Sequence, residues 1–263
     1  MTSPKTTTEL PTAENPPCSP VAIALTAENL GTEVVTLYVG PKRKQIVVHK
    51  KLLCNRIEYF SKAFDGRFKE GREGIIYLPE DDADSMSQLV DWLYRCTIPP
   101  IIQSTMPARK LYYLAEKLCV SEAMNAVMDE IQKYHKVYSV HFNPNQMLDV
   151  YRSTHERSKL RLYVAAQAAC SFRVLKHRKT WDANSELFSK MSVDFFRDIM
   201  RIQLDHWDKL REDYVWPQRH NIGKGLDLCD FHVHNKDNLS NGNVTQTEQG
   251  NLENLEAVNR EEN

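Results

Sequence analysis

Residues 75–95 read IIYLPEDDADSMSQLVDWLYR, and this stretch carries the decision between fold classes. Its first three residues are β-branched or aromatic, and with Leu78 they make a run that ends at Pro79, the composition of a short strand. Acidic residues and Ser85 then stand where they favour the positive end of a helix dipole. Met86, Leu89, Val90, Leu93 and Tyr94 follow at i, i+3, i+4, i+7 and i+8, the stripe of a buried helix face. A strand running straight into a long amphipathic helix predicts a mixed α/β unit, and Pro99-Pro100 close the helix.

Upstream, Val35, Leu37 and Val39 alternate with Val34, Thr36 and Tyr38, so apolar groups stand on both faces of a strand that belongs in the centre of a sheet. Gly40-Pro41 and Lys42-Arg43-Lys44 make a turn, and Ile46 to Val48 return as the second arm of a hairpin. Leu53, Ile57, Phe60 and Phe64 then recur every three or four residues, as one helix face or two short helices in series. Downstream, Leu111, Leu114, Ala115 and Leu118, followed by Ala123, Val127 and Ile131 after Ser121, predict a helical hairpin. Asn143-Pro144 is an N-cap with proline at the first helical position, leading into Met147, Leu148 and Tyr151. Leu160, Val164 and Ala168, then Leu187, Phe188 and Met191, then Phe196, Ile199, Met200 and Trp207, supply further faces.

These runs divide the chain into an arm over 1–30 and a mixed unit over 31–135. A helical region over 140–235 and a tail over 236–263 follow. Both ends are rich in polar residues with few large apolar groups, too few to offset the entropy of ordering, so both are expected to be disordered. Lys and Arg total 34 against 35 Asp and Glu, which leaves no global pull toward nucleic acid or anionic lipid. No apolar stretch approaches the ~20 residues of a membrane span. The opening residues lack the cationic start and apolar run of a secretory signal. With Cys18, Cys54, Cys96, Cys119, Cys170 and Cys229 scattered singly, the expectation is a chain of the cytoplasm or nucleus.

The runs VVTLYVG (34–40), IVVHKKLLCNRIEYFSKAFDGRFKEG (46–71) and IIYLPEDDADSMSQLVDWLYR (75–95) together resemble the BTB/POZ family, in its short fungal-type form. The distinctive positions are His49 with Lys50 and Leu53, Tyr59-Phe60 with Phe64, Phe68-Lys69-Glu70, Leu78 to Asp82, and Trp92-Leu93-Tyr94. The resemblance implies an α+β BTB/POZ fold, a small sheet with a cluster of helices, followed here by an all-α extension. It also implies a protein-interaction module that pairs with itself or another BTB protein, with Glu33, His49 and Lys50 as signature or dimer-interface positions. The family's usual residues differ at three places: Asp for Glu33, Ser for Ile57 and Gly for Cys96. The last sets an expectation that Cys96 avoids the positive φ that glycine adopts readily.

Phe68-Lys69-Glu70 resembles the apolar-x-Glu motif with which many BTB proteins engage a cullin scaffold. A ring seated in a partner's pocket, with an acid two residues later to fix register, suits that task. If the motif is used, the chain is an adaptor in ubiquitination, and its helical region or tails hold the target. The alternative reading packs Phe68 under its own loop and leaves the chain a scaffold or transcriptional co-regulator without cullin contact. A third and remote reading is a metal-binding protein. Cys229, His232 and His234 are soft and imidazole ligands in close order, but a structural zinc site wants four ligands, and a strand-like peptide docking Phe231 and Val233 against the helices is the preferred account. His49 has no local second ligand and is expected to be structural. Lys42 to Lys44 and the run at 173–179 lack the interleaved aromatics of a nucleic-acid platform. No phosphate loop, Gly-x-Ser-x-Gly turn or His-Glu-x-x-His helix is present, so the sequence offers no enzyme, and no cofactor is expected.

Overall fold

The computed structural model describes residues 26–174, 185–186, 188–205 and 228–234. The arm up to residue 25, most of the basic run at 173–179, Leu187, Trp207 and the tail from 236 lie outside the described residues.

A four-residue helix, α1 (Ala27–Leu30), precedes the sheet, so the arm expected to be disordered over 1–30 is ordered at its last residues. Strands β1 (Val34–Val39), β2 (Lys44–His49) and β3 (Ile75–Leu78) form one sheet in the order β2-β1-β3. The doubly apolar strand is thus central, as its alternation predicts. It runs antiparallel to β2, with Leu37 opposite Ile46, and parallel to β3, with Val39 opposite Leu78. Val35, Leu37, Val39, Val48, Ile76 and Leu78 are buried on the inner face. The outer face is only partly covered. There Tyr38 stacks on Tyr77 with ring centroids 5.1 Å apart, Arg43 lies 5.5 Å from the Tyr77 ring centroid, and Val34 and Val47 are exposed.

A parallel pair needs a crossover, and the chain between β2 and β3 supplies it as α2 (Lys50–Arg56), α3 (Glu58–Ala63) and α4 (Lys69–Glu73). The apolar run Leu53 to Phe64 is therefore two helices in series; the five-residue α4 is too short to show a period and was not legible. Helix α5 (Ala83–Arg95) begins at Asp82, whose side chain accepts from Ser85 N at 2.9 Å and Ser85 Oγ at 2.7 Å. Those hydrogen bonds hold the Asp82 carboxyl below its ordinary range. Met86, Leu89, Val90, Trp92 and Leu93 are buried. The helix ends before the prolines, at Cys96, which takes φ 53°. The expectation for Cys96 is thereby corrected. Cys96 N donates to Trp92 O at 2.8 Å, a left-handed cap that closes the helix despite the missing glycine.

Helices α6 (Met106–Lys117) and α7 (Ser121–Tyr138) form the predicted hairpin. Helix α8 (Pro144–Ser153) begins with a full capping box: Gln146 N donates to Asn143 Oδ1 at 3.0 Å and Asn143 N donates to Gln146 Oε1 at 2.9 Å. Arg161 turns the corner into α9 (Lys159–Val174), donating to Thr154 Oγ1 at 3.0 Å and Tyr151 O at 2.7 Å. Helix α10 (Val193–Asp205) packs on α9. A 3₁₀ turn, Leu228–Phe231, lies against α7 and α9.

The sequence reading of α10 needs a correction. Its buried residues are Phe195, Ile199 and Ile202, whereas Phe196 and Met200 point to solvent. The helix carries two apolar stripes, and periodicity alone does not say which one faces inward.

The sheet unit and the helices after residue 138 share one core. Arg109 of α6 is buried, and its Nη1 donates to Asp149 Oδ2 at 2.6 Å and to Gln146 O at 3.2 Å. Tyr113 Oη donates to the same Asp149 oxygen at 2.9 Å. His135 of α7 is buried against Phe142 and Tyr163, with ring centroids 4.6 Å and 5.8 Å away.

Candidate interaction surface

The segment from Phe64 to Gly74 is a tight fold-back. Phe68 N donates to Asp65 O at 3.1 Å, and Arg67 pairs with Asp65. Gly71 sits so close to this turn that a Cβ there would meet Asp65 O at 2.4 Å, so the glycine after Phe68-Lys69-Glu70 is sterically imposed. Gly74, at φ 65°, ends α4, and its carbonyl accepts from Thr36 N at 2.8 Å, tying the loop to the central strand. Phe68 is the residue that enters α4, with φ −95° and ψ 163°. Its side chain is 54% exposed. The ring therefore does not pack beneath its own loop. Glu70 stands in the first turn of α4, half-buried, and among the described residues no ion pair holds it. An apolar ring and an acid thus sit together on a braced loop. Nearby on β3 and α3, Tyr77 and Tyr59 line a hollow of about 390 Å³ with Leu118 and Lys117.

The other sequence-derived candidates fall elsewhere and have structural partners. His49 N donates to Tyr94 Oη at 3.1 Å, and the Tyr94 hydroxyl lies 2.7 Å from His49 Nδ1, so the imidazole locks the end of β2 to α5. Lys50 Nζ pairs with Glu33 Oε1 at 3.0 Å, and Lys50 N donates to Glu33 O at 2.9 Å. Glu33 and Lys50 brace the start of β1 against α2 beside a second hollow of about 380 Å³.

Cys229, His232 and His234 do not converge as a metal site would require. Cys229 Sγ lies 3.4 Å from His234 Nε2, but His232 is buried and turns its Nε2 to Asp129 Oδ1 at 2.9 Å. Among the described residues no three His, Cys, Asp or Glu side chains are grouped to hold a metal. The remote metal reading is corrected accordingly: the segment docks instead. Phe231 is buried, with its ring centroid 5.0 Å from that of Tyr163, which agrees with the preferred account except that the peptide is a 3₁₀ turn rather than a strand.

Sequence reasoning missed the receptors of this segment, Asn125 and Asp129. They stand four residues apart on α7 and so share a face. That spacing of two polar groups beside the buried Met124 and Met128 was the available signal. Arg56 was missed as well. It lies 4.8 Å from the Trp92 ring centroid and pairs with Glu122 Oε2 at 3.2 Å, joining α2, α5 and α7.

The sheet order, the crossover of three short helices, and the turn with Trp92 and Leu93 buried and Tyr94 half-buried agree with the match that the BTB/POZ domain family makes to residues 33–135. Residues 33–135 are a BTB/POZ domain. The chain is also similar to Kelch-like protein 8 of Mus musculus, 30% identical over 138 residues. That alignment takes in 52% of this chain and 20% of the relative, so the chain spans about a fifth of the length of the protein it matches. The BTB/POZ domain is a protein-interaction module of a non-enzymatic family. Among the described residues no helix is long and apolar enough to cross a membrane.

Proposed function

We propose that this chain is an adaptor of the cytoplasm or nucleus whose BTB/POZ domain pairs with itself or another BTB protein and engages a cullin scaffold through Phe68 and Glu70. The helical region after residue 138 would then hold a target protein for ubiquitination. The observation that carries this reading is the exposure of Phe68 on a loop fixed by Gly71 and by the bond from Thr36 N to Gly74 O. A large ring held in water on a rigid support is suited to act as an anchor, since little conformational entropy remains to be lost on docking. Glu70, two residues on, offers a carboxylate in the same first turn.

The test is capture of a cullin scaffold from cells by the full chain, compared with the Phe68→Ala/Glu70→Ala double variant. Loss of a central anchor costs about 2 kcal/mol or more, so the variant is expected to retain less than about a tenth of the cullin. Equal capture by the two chains removes the cullin reading and leaves a scaffold that associates through its BTB/POZ domain alone.

A further inference from the structure

The segment from Leu228 to His234 is held on α7 and α9 by its main chain as well as by its side chains. Asn125 takes both backbone groups of Val233, at 3.0 Å and 2.7 Å, and Lys159 Nζ donates to Asp230 O at 3.3 Å. Successive side chains have separate seats. Phe231 is buried with its ring edge-to-face against Tyr163, His232 Nε2 lies 2.9 Å from Asp129 Oδ1, and Val233 is half-buried against the core. Part of the bound shape is the segment's own, since His232 N donates to Cys229 O at 3.0 Å. Main-chain capture with a seat for each side chain is how a groove recognises a short peptide: the backbone bonds supply affinity and the seats supply specificity.

The groove tolerates being emptied. Asn125, Asp129 and Lys159 all reach solvent in part, so water can satisfy them when the segment leaves. Tyr163 keeps its contact with His135 Nδ1 at 3.0 Å and loses the cover of Phe231. Arg109, a buried cation that depends on Asp149, has no such escape. Those are the terms on which a ligand, rather than a piece of core, is bound.

We infer that Asn125, Asp129, Lys159 and Tyr163 form a peptide-recognition groove, whose ligand is a linear segment of a target protein with the order aromatic, histidine, aliphatic. Phe231-His232-Val233 occupies it in cis as a stand-in, which the target segment displaces. The face of Tyr163 takes the ring, Asp129 pairs with the histidine, and Asn125 holds the next residue by its backbone. The groove is the contact by which the helical region holds a target, and in that it rests on the adaptor reading. Being part of the same chain, the stand-in competes at an effective concentration on the order of a millimolar, so it shuts out weak ligands and yields to tight ones.

The experiment is fluorescence polarisation with a labelled synthetic peptide of residues 227–236, titrated with the full chain. Wild type is compared with Phe231→Ala/Val233→Ala, which weakens the stand-in and leaves the groove intact. The peptide is expected to bind the variant at least about tenfold more tightly than wild type. Adding Asn125→Ala/Asp129→Ala to that variant is expected to weaken binding at least about tenfold, and a peptide carrying Phe231→Ala is expected not to bind. The stand-in variant is expected to keep the wild-type helical circular dichroism. Its unfolding overturns the inference, because the segment is then part of the core. So does a peptide that binds neither chain, binds both alike, or binds regardless of Asn125 and Asp129. Each of these leaves cullin capture by Phe68 and Glu70 standing. Cullin capture unchanged by Phe68→Ala/Glu70→Ala, with peptide binding as expected, strikes the adaptor reading and keeps the groove.

Discussion

Asn125 holds Val233 by both backbone groups: Nδ2 donates to Val233 O at 3.0 Å, and Oδ1 accepts from Val233 N at 2.7 Å. One amide side chain thereby does for this segment what a neighbouring strand does in a sheet. With His232 on Asp129 and Phe231 on Tyr163, it fastens a peptide more than 100 residues away in sequence to the last helix of the BTB/POZ domain. Asn125→Ala removes both bonds, and the expected loss is about 1–2 kcal/mol confined to this segment. Hydrogen exchange at the Val233 amide should quicken about tenfold while the amides of β1 keep their protection. Unchanged exchange at Val233 would show that the amide does not hold it.

Asp149 compensates Arg109, whose side chain is almost wholly buried between α6 and α8. Asp149→Ala leaves that cation with the Gln146 carbonyl, the Met106 sulfur and the face of Phe142. Because Asp149 itself is partly exposed, water relieves some of the penalty, and about 2 kcal/mol of stability should be lost in a urea titration. The double variant Arg109→Met/Asp149→Leu removes the charge with its partner and should recover most of that loss. A double variant no more stable than Asp149→Ala would mean that shape rather than charge sets the cost.

His135 makes the fold sensitive to acid. Burial, and then the nearby His141, lower its pKa from 6.5 to about 4. Tyr163 Oη at 3.0 Å and Gln167 Nε2 at 2.9 Å both lie on Nδ1, so that nitrogen accepts and a proton there would displace its donors. The folded chain therefore resists protonation that the unfolded chain accepts, and the unfolded state holds more protons between pH 6.5 and 4. Stability is complete above pH 6.5 and falls as the pH drops toward 4, by about 3 kcal/mol at most. His135→Gln cannot titrate, so its stability should fall less over that window than wild type when both are unfolded by urea at each pH.

Cys96 occupies a left-handed cap, at a cost of about 1 kcal/mol for a side chain with a Cβ. Glycine relieves that strain and gives back part of it as unfolded-state entropy. Cys96→Gly should therefore raise stability by about 0.5 kcal/mol, read as a small upward shift in the melting midpoint. A lowered midpoint would assign more weight to the contact of Arg56 Nη2 with Cys96 Sγ at 3.8 Å.

Legibility followed the range of the forces. Helix α5 was readable because its entrance acids and apolar stripe all lie within 15 residues, and the start of α8 from the adjacent pair Asn143-Pro144, although the return bond from Gln146 that completes its capping box was not read. The central place of β1 was readable from its double alternation. Helix α10 misled because both of its stripes have helical period, and only its packing on α9 says which is inside. The bonds from Asn125 to Val233 and from Asp129 to His232 join positions more than 100 residues apart, which no local pattern encodes. Phe68 and Glu70 were readable as a motif, but whether the ring packs inward depended on Gly71 and the fold-back from Phe64.

The interlock of α6 and α7 with the later helices separates two boundaries that are easily equated. Ancestry marks a limit at residue 135; cooperativity does not stop there. A fragment cut at that point strands Arg109 without Asp149 and His135 without Tyr163 and Gln167, so its cut face carries an uncompensated cation and bare aromatic surface. The smallest piece that keeps these contacts extends through α9, and a partner held by the later helices would be carried at a set bearing to the sheet rather than on a tether.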